Sequence, residues 1–488
     1  MMDIQAIRPE IIVALFAILV PAIGLLSKSS SKVCAAFSLV GVGLAFLDVF
    51  MFVYNNSAPI ELAGNLLRLD QFSALFMMIF LAVAFYVILA SAHFIQEDKH
   101  QPEFYSLVMI ATVGMMIVAC SNDLITLFVG IELTSISSYA LVAFRKKDVK
   151  GAEAAVKYFI IGGLSSGLAL FGISLLYGIA GTTSFTGMAQ AVTMNSPMQS
   201  VIFLALVMVV AGFGFKVAIV PFHMWAPDVY EGAPTTVTAM LAGGSKKMGF
   251  IALFKVLLIG LFAIKSNWDV MIGVVAIATM TVGNLAAISQ TNIKRMLAYS
   301  SIAQAGYILI AIPVGTEYAL SAGIMQIMTH AFMKGGAFLI VATLATVAVG
   351  ETLSNYKGLA KRAPFMAFGM AVMLFSLAGI PPLAGFFSKF VLFSSPIQQS
   401  AVAGNEWMLW LAVAAIINSA ISLYYYVRVV KYMYVDEAEE GVPTEKLKLP
   451  VSMVAAVALC VFMVVLIGIW PDPFFTAAQQ AAHAFFFP

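Results

Sequence analysis

The sequence predicts an all-α polytopic membrane protein with about fourteen transmembrane helices. Three observations carry this. Hydrophobic residues make up 62% of the 488 and charged residues only 10%, against about 25% charged in a soluble domain. Apolar runs near the ~20 residues needed to span the hydrocarbon core recur along the whole chain. The basic residues alternate between successive connections, as they do when one side of a membrane collects them.

The runs fall at approximately 9–26, 33–54, 69–95, 104–120, 123–143, 151–178, 199–222, 233–262, 270–289, 298–313, 319–348, 365–395, 407–434 and 450–470. The sixth, eighth, eleventh and twelfth exceed the minimum, so they have length to tilt, kink or project. Only 181–198 and 436–449 are longer polar connections, and neither holds a soluble domain. With the N-terminus outside, the inner connections carry sixteen basic residues: Lys28, Lys32, Lys99, Arg145, Lys146, Lys147, Lys150, Lys294, Arg295, Lys357, Lys361, Arg362, Arg428, Lys431, Lys446 and Lys448. The outer segments carry three, Arg8, Arg68 and Lys265. Both termini are therefore expected outside a cell inner or plasma membrane. The first run lacks a basic leader and a cleavage site, so it reads as a retained span.

Composition also excludes functions. A net charge of +2 with no basic block gives nothing for nucleic acid to bind. Cys34, Cys120 and Cys460 lie far apart in or beside apolar runs, without metal-ligand or disulfide spacing, and read as packing residues. No glycine-rich phosphate loop, iron–sulfur cysteine pattern or haem-type histidine pair is present.

Seven basic residues remain, and all fall inside the runs: Lys157, Lys216, Lys246, Lys247, Lys255, Lys334 and Lys389. None is arginine. Arginine keeps its proton in proteins, whereas a buried lysine can release it. Each mid-span lysine costs about 3 kcal/mol on insertion scales, so this usage points to groups that gain and lose protons. Lys255, near the end of its run, is equally well explained by snorkelling.

Two of these lysines sit beside helix breaks. Pro221 interrupts the seventh run just after Lys216, and a polar segment with His223, Asp228, Tyr230 and Glu231 follows before the chain reaches Lys246 and Lys247. Pro381 and Pro382 interrupt the twelfth run ahead of Lys389. Interrupted helices in corresponding positions mark transport paths in proteins built from repeats. The two lie five runs apart, an odd number, so two five-helix repeats would be inverted relative to each other. The chain divides accordingly into three N-terminal helices (1–100), a first repeat (101–262), a second repeat (263–435) and an inner loop with the last helix (436–488).

Two further constellations belong with the lysines. Glu132 is a carboxylate near the middle of its run, with Ser135 and Tyr139 on the same face. Lys157 on the next run is its nearest candidate partner in sequence, although by helical rise the two lie roughly 18 and 9 Å from the same boundary. Gln326, His330 and Lys334 follow at i, i+4 and i+8, placing a histidine, the group that titrates nearest neutral pH, on one face with a lysine.

Five stretches carry a resemblance: LDQFSALF (69–76), FVGIEL (128–133), VPFHMWAPDVYEGAPTTVTAMLAGGSKK (220–247), SQTNIKRMLAYSSIAQAGY (289–307) and SLAGIPPLAGFFSKF (376–390). They resemble the antiporter-like subunits of respiratory complex I, and within them the N type, together with its relatives in F420H2 dehydrogenase. PDVYEGAP, a lysine at 389 and the end of the chain after the fourteenth run favour N. HAFMK at 330–334 is closer to the L and M types. The resemblance implies a proton path through Glu132, Lys157, Lys216, Lys246 and Lys389, with His223, His330 and Lys334 as relay or gating groups. It implies that a Glu132–Lys157 interaction acts on Lys216, and that protons pass through Lys246 and His330 to Lys389. It implies no cofactor on this chain, with FMN or FAD, iron–sulfur clusters and a quinone-type carrier in other subunits, and other membrane-arm subunits as partners. The alternative within the same superfamily is an Mrp-type cation/proton antiporter subunit. A scaffold without transport is the third reading.

Overall fold

Residues 7–26, 31–55, 58–62, 64–194, 198–438 and 445–487 are described by the computed structural model; Lys28, counted above on the inner side, lies outside them. The chain begins with α1 (Arg8–Leu26) and α2 (Ser31–Tyr54), then a hairpin of β1 (Ile60–Leu62) and β2 (Leu67–Leu69). It continues through α3 (Gln71–Phe94), α4 (Gln101–Cys120), α5 (Leu124–Val142), α6 (Val149–Ala180), α7 (Phe185–Met194), α8 (Gln199–Val217) and α9 (Trp225–Gly232). Next come α10 (Thr235–Met240), α11 (Lys246–Lys255), α12 (Asp269–Ile288), α13 (Ile293–Leu309), α14 (Ala311–Val314) and α15 (Glu317–Ala345). The last are α16 (Leu359–Arg362), α17 (Pro364–Ala378), α18 (Ala384–Ser400), α19 (Met408–Tyr434), α20 (Val451–Ile469) and α21 (Asp472–Phe486).

Twelve helices among the described residues are long and apolar enough to cross a membrane: α1 to α6, α8, α12, α13 with α14, α15, α19 and α20. Their starts follow local chemistry. Asp70 and Ser73 form a reciprocal capping box at α3, and Asp123, Asn292 and Thr316 cap α5, α13 and α15 by accepting from first-turn amides, which satisfies donors no helix can satisfy itself. The bundle is layered around α15, whose most apolar window is wholly buried, whereas only about a third is buried in α1, α2 and α6. The apolar faces of those three, such as Phe159, Ile160 and Leu164 of α6, are exposed, as suits helices solvated by lipid or by another chain.

The two breaks are where the sequence places them. α8 stops at Val217, and Ala218 takes a left-handed conformation (φ 58°). α17 stops at Ala378 before Gly379 (φ 91°), where the absence of a side chain makes that conformation accessible. The Val220–Pro221 and Pro381–Pro382 peptides are cis. The freed backbone groups find partners inside the protein, as a non-helical stretch at membrane depth requires. Trp225 Nε1 donates to Phe215 O at 2.9 Å, and the Val220 amide donates to Thr279 Oγ1 at 3.1 Å.

Several features differ from the expectation. The eighth run is not one α-helix: π-helical turns at Leu241–Ser245 and Val256–Gly260 bound α11. Lys294 and Arg295 lie in the first turn of α13 rather than in a connection, and Lys294 is buried. The hairpin at 60–69 and the helix α21 were not expected. α21 packs at the end of the bundle that carries the start of α3, with Phe475 on Tyr318 and Phe387, Phe485 on Phe72, and His483 Nδ1 3.2 Å from Glu317. The three cysteines are buried and unbridged.

Candidate functional site

A string of buried lysines runs through the bundle, and each is held differently. Lys216 occupies the last turn of α8, immediately before the break, and is 3% exposed. The carbonyl end of a helix carries partial negative charge, which favours a cation there. Its Nζ donates to Ser135 Oγ at 2.9 Å and to Tyr158 OH at 3.3 Å, and lies 5.6 Å from the Tyr158 ring centre. Tyr158 is stacked on Trp225 of α9 (4.7 Å), so the fragment beyond the break helps fix the lysine's surroundings. Glu132 lines the same small cavity as Lys216, Ser135 and Tyr139, and its Oε1 accepts from Ser166 Oγ at 2.5 Å.

The expected pairing of Glu132 with Lys157 is not made. Lys157 Nζ is 2.8 Å from Asp228 Oδ2 and 2.8 Å from Glu153 Oε1. Asp228 arrives on α9, which the break turns back against α6, and that rearrangement decides the partner. Arg295 completes the cluster, with Nη1 2.8 Å from Asp228 Oδ1 and 3.0 Å from Glu231 Oε2. Partial burial raises the Asp228 carboxyl, but the bonds from Lys157 and Arg295 outweigh it and hold the group below the ordinary carboxylate range. Beside the cluster Lys294 Nζ is 3.2 Å from Glu351 Oε1 and donates to Ala233 O at 3.2 Å. These residues border an open polar cavity of about 600 Å³.

At the centre, α11 presents two adjacent lysines in two directions, since successive helical residues point about 100° apart. Lys246 Nζ donates to Ser301 O at 2.9 Å. Lys247 Nζ is hydrogen-bonded to His330 Nδ1. The resemblance sets Lys246 and His330 in succession on a path; in the structure the lysine bonded to His330 is Lys247. Gln326, His330 and Lys334 are brought together on α15, all wholly buried. Lys334 Nζ donates to Ser300 Oγ at 2.6 Å and Leu297 O at 3.2 Å, and Ser300 is paired with Tyr426. Gln326 Oε1 accepts from Ser388 Oγ at 2.6 Å, and its Nε2 donates to Gln304 Oε1 at 2.8 Å.

Ser388 leads to Lys389 on α18, which is 4% exposed. Lys389 Nζ donates to Ser419 Oγ at 2.9 Å and to Ala378 O, the last residue of α17, at 3.1 Å, and lies 5.0 Å from the Tyr307 ring centre. His223 sits in the first break, partly buried, and its Nδ1 makes no hydrogen bond among the described residues. Lys255 belongs elsewhere: its Nζ donates to Ala119 O at 2.6 Å and Ser121 O at 2.5 Å, capping the carbonyl end of α4. That is the cation a helix C-terminus favours, and it resolves the ambiguity of this residue in favour of structure.

Sequence reasoning missed Asp228 and Arg295 as ionic partners, and Ser135, Tyr158, Ser300, Ser301 and Ser419 as hydroxyl and carbonyl contacts of the lysines. Only Ser135 carried a signal, its helical spacing from Glu132.

The fold and site are those of a polytopic membrane protein with two interrupted helices and a string of buried lysines held by neutral acceptors. The chain belongs to the NADH:quinone oxidoreductase/Mrp antiporter transmembrane family, which matches residues 121–422. It is 45% identical over 499 aligned positions to the F(420)H(2) dehydrogenase subunit N of Methanosarcina mazei, covering 99% of each chain. It is 38% identical to the NADH-quinone oxidoreductase subunit N of Trichlorobacter lovleyi, covering 98% of this chain and 97% of that one. Among solved structures, a chain of respiratory complex I from Thermus thermophilus superposes with a TM-score of 0.80 at 28% identity, covering 97% of this chain and all of that one.

Proposed function

We propose that this chain is a proton-translocating membrane-arm subunit of a complex I-like oxidoreductase, coupling electron transfer from a reduced donor to a quinone-type carrier with outward proton movement. The observation that carries the reading is the string itself. Lys216, Lys246, Lys247, Lys334 and Lys389 are all buried and hydrogen-bonded to hydroxyls, carbonyls or an imidazole, and among the described residues to no carboxylate. A lysine locked in an ion pair keeps its proton, whereas one held by neutral acceptors in a low-dielectric interior can release it. The end-to-end likeness to N-type subunits supports the oxidoreductase assignment over the Mrp-type alternative.

In this reading the two interrupted runs, 235–260 and 364–400, complete fourteen spans, and the broken helices α8–α9 and α17–α18 mark two inverted five-helix repeats within 101–262 and 263–435. The residues 1–100 and 436–488 flank them. Both termini face outside. Glu132 acts on Lys216 through their shared cavity, and Lys157 belongs to the ion cluster that closes the basic end of the first repeat. Loss or gain of a charge near Glu132 drives a proton from Lys216 past Lys246, His330 and Lys334 to Lys389, with His223 gating the first break. Flavin, iron–sulfur clusters and the quinone-type carrier reside in other subunits, so this chain takes no part in the redox step. Replacing Lys216 with Met in the whole assembly is expected to lower pumping per electron while leaving assembly intact, measured as proton-to-electron stoichiometry in sealed vesicles. An unchanged stoichiometry sinks the reading. Co-purification with small Mrp-type subunits in place of flavin and iron–sulfur subunits favours the antiporter.

A further inference from the structure

The second half holds a buried amide that the proton path above does not use. We propose that Asn284 on α12 is the positioning residue of Lys389, in a role that rests on the proton-translocating reading. It binds the hydroxyl of Tyr307, so that the Lys389 amine meets the face of the ring, and it fixes the backbone beside Ser419.

Asn284 is wholly buried and ties α12 to α13 and α19. Its Nδ2 donates to Tyr307 OH on α13 at 3.1 Å and, on α19, to Asn418 O at 3.0 Å and Asn418 Oδ1 at 3.1 Å. Its Oδ1 accepts from Tyr425 OH at 2.9 Å. Asn418 is anchored in turn, its Nδ2 donating to Thr281 Oγ1 at 3.1 Å and to Ala414 O at 3.0 Å. The donors and the acceptor of the Asn284 amide are thus all engaged. An amide side chain supplies two N–H donors and a carbonyl acceptor, and neither end exchanges protons as an amine or imidazole does. The group clamps without conducting, so its role is to place other side chains.

Two of its partners make up the surroundings of Lys389. The Lys389 amine lies over the Tyr307 ring, 5.0 Å from its centre, within the ~6 Å at which the negative face of an aromatic ring attracts a cation. Ser419, which accepts from the same amine at 2.9 Å, follows Asn418 directly. The Asn418 carbonyl that Asn284 holds therefore belongs to the peptide bond leading into that serine. One side chain places both the ring and the hydroxyl against which the lysine rests.

The first break shows what the clamp changes. There Lys216 Nζ lies 5.6 Å from the Tyr158 ring centre and also donates to Tyr158 OH at 3.3 Å. Tyr158 is set by stacking on Trp225, which leaves its hydroxyl to the lysine. At the second break Asn284 takes the Tyr307 hydroxyl, and Lys389 donates to Ala378 O and Ser419 Oγ instead. Without the amide, that hydroxyl would be a buried polar group short of a partner, which is costly, and the amine beside the ring is a donor to which it can turn.

The test uses the intact membrane assembly in sealed vesicles, with electron transfer and assembly followed alongside proton-to-electron stoichiometry. Asn284→Leu, close in volume, should lower stoichiometry toward the level of Lys389→Met, because the freed hydroxyl turns onto the amine. Tyr307→Phe keeps the ring face and should pump nearly as wild type. Adding Tyr307→Phe to Asn284→Leu removes the stranded hydroxyl and should restore most of the pumping, since losing both partners of a buried bond is milder than losing one. An asparagine that only joins helices gives no such rescue. Wild-type pumping in Asn284→Leu, or a double variant as low as Asn284→Leu, overturns the proposal. Should Asn284→Leu fail to assemble, Asn284→Ser, small enough to enter and too short to hold the Tyr307 hydroxyl, takes its place with the same expectations. Phenylalanines carrying one, two and three ring fluorines at position 307 test the face itself. Fluorine withdraws charge from it, so stoichiometry should fall with each, and a flat series overturns the proposal. Normal stoichiometry in Lys389→Met overturns the proton-path reading beneath it, whereas loss there without rescue overturns the clamp alone.

Discussion

The two broken helices solve one problem with different surroundings. Each places a lysine amine 2.9 Å from a serine hydroxyl, Ser135 for Lys216 and Ser419 for Lys389, and over a tyrosine ring. Around Lys216 the negative charge is a carboxylate, Glu132, that shares its cavity. Around Lys389 it is the carbonyl end of α17, reached through Ala378 O. A carboxylate presents a whole charge on a movable side chain, whereas a helix end holds a fixed partial charge. The first break thus sets a whole carboxylate beside its lysine, and the second only the partial charge of a helix end.

Packing at the breaks repeats the contrast. At the second break, backbone lies against backbone. A Cβ on Gly385 would overlap Ser376 O, and one on Gly468 of α20 would overlap Pro382 O. At the first, a Cβ on Gly214 would meet Ile219 Cδ1 at 2.8 Å, the end of a side chain that can turn away. Gly385→Ala should thus cost about 1–3 kcal/mol or more, as overpacking does where the neighbour cannot yield, and appear as loss of assembled subunit on native gels. Gly214→Ala should assemble normally. Equal tolerance at both sites would remove the distinction between a yielding break and a locked one.

The electrostatic side of the comparison is sharpened by Glu132→Gln. It keeps the hydrogen bond from Ser166 but removes the one carboxylate that, among the described residues, lines the cavity with Lys216. Proton transfer through this chain should slow about a hundredfold, the low end of what a positioned proton-transfer group contributes. Ser419→Ala, which leaves Lys389 its bond to Ala378 O, should slow it by about fivefold or less, since a single neutral hydrogen bond contributes about 1 kcal/mol. Matching losses would show that the two lysines depend on their surroundings alike.

What could be read in the sequence follows from range. The membrane class rests on composition, and the breaks rest on Pro221 and Pro381–Pro382, which act on their own backbone whatever surrounds them. Lys216 and Lys389 were legible because each sits beside such a break. The partner of Lys157 was not, because Asp228 reaches it only after the break folds α9 back onto α6. Nor was the choice between Lys246 and Lys247 legible: adjacent residues face different neighbours, and which one meets α15 depends on the helical phase that the π turns set. α21 was missed because its polar residues, Gln479, Gln480 and His483, interrupt the apolar run that marks a span.

The ion cluster at the basic end offers the finest probe of the first half. Asp228 ties Lys157 of α6 to Arg295 of α13, so Asp228→Asn loosens the fragment beyond the first break while leaving the second untouched. The side chain is 31% exposed, and screening limits the loss to about 0.5–1 kcal/mol. The sign with pH is fixed by the depressed folded-state value of the carboxyl. Such a group contributes stability above its unfolded value of about 3.9 and loses it only as pH falls through the lower folded one. The difference in unfolding midpoint between wild type and Asp228→Asn should therefore stay constant from about pH 8 to 5 and shrink only below about pH 4. A difference that already narrows between about pH 7 and 6 would place the titrating group elsewhere, and the cluster would no longer be what holds the yielding half together.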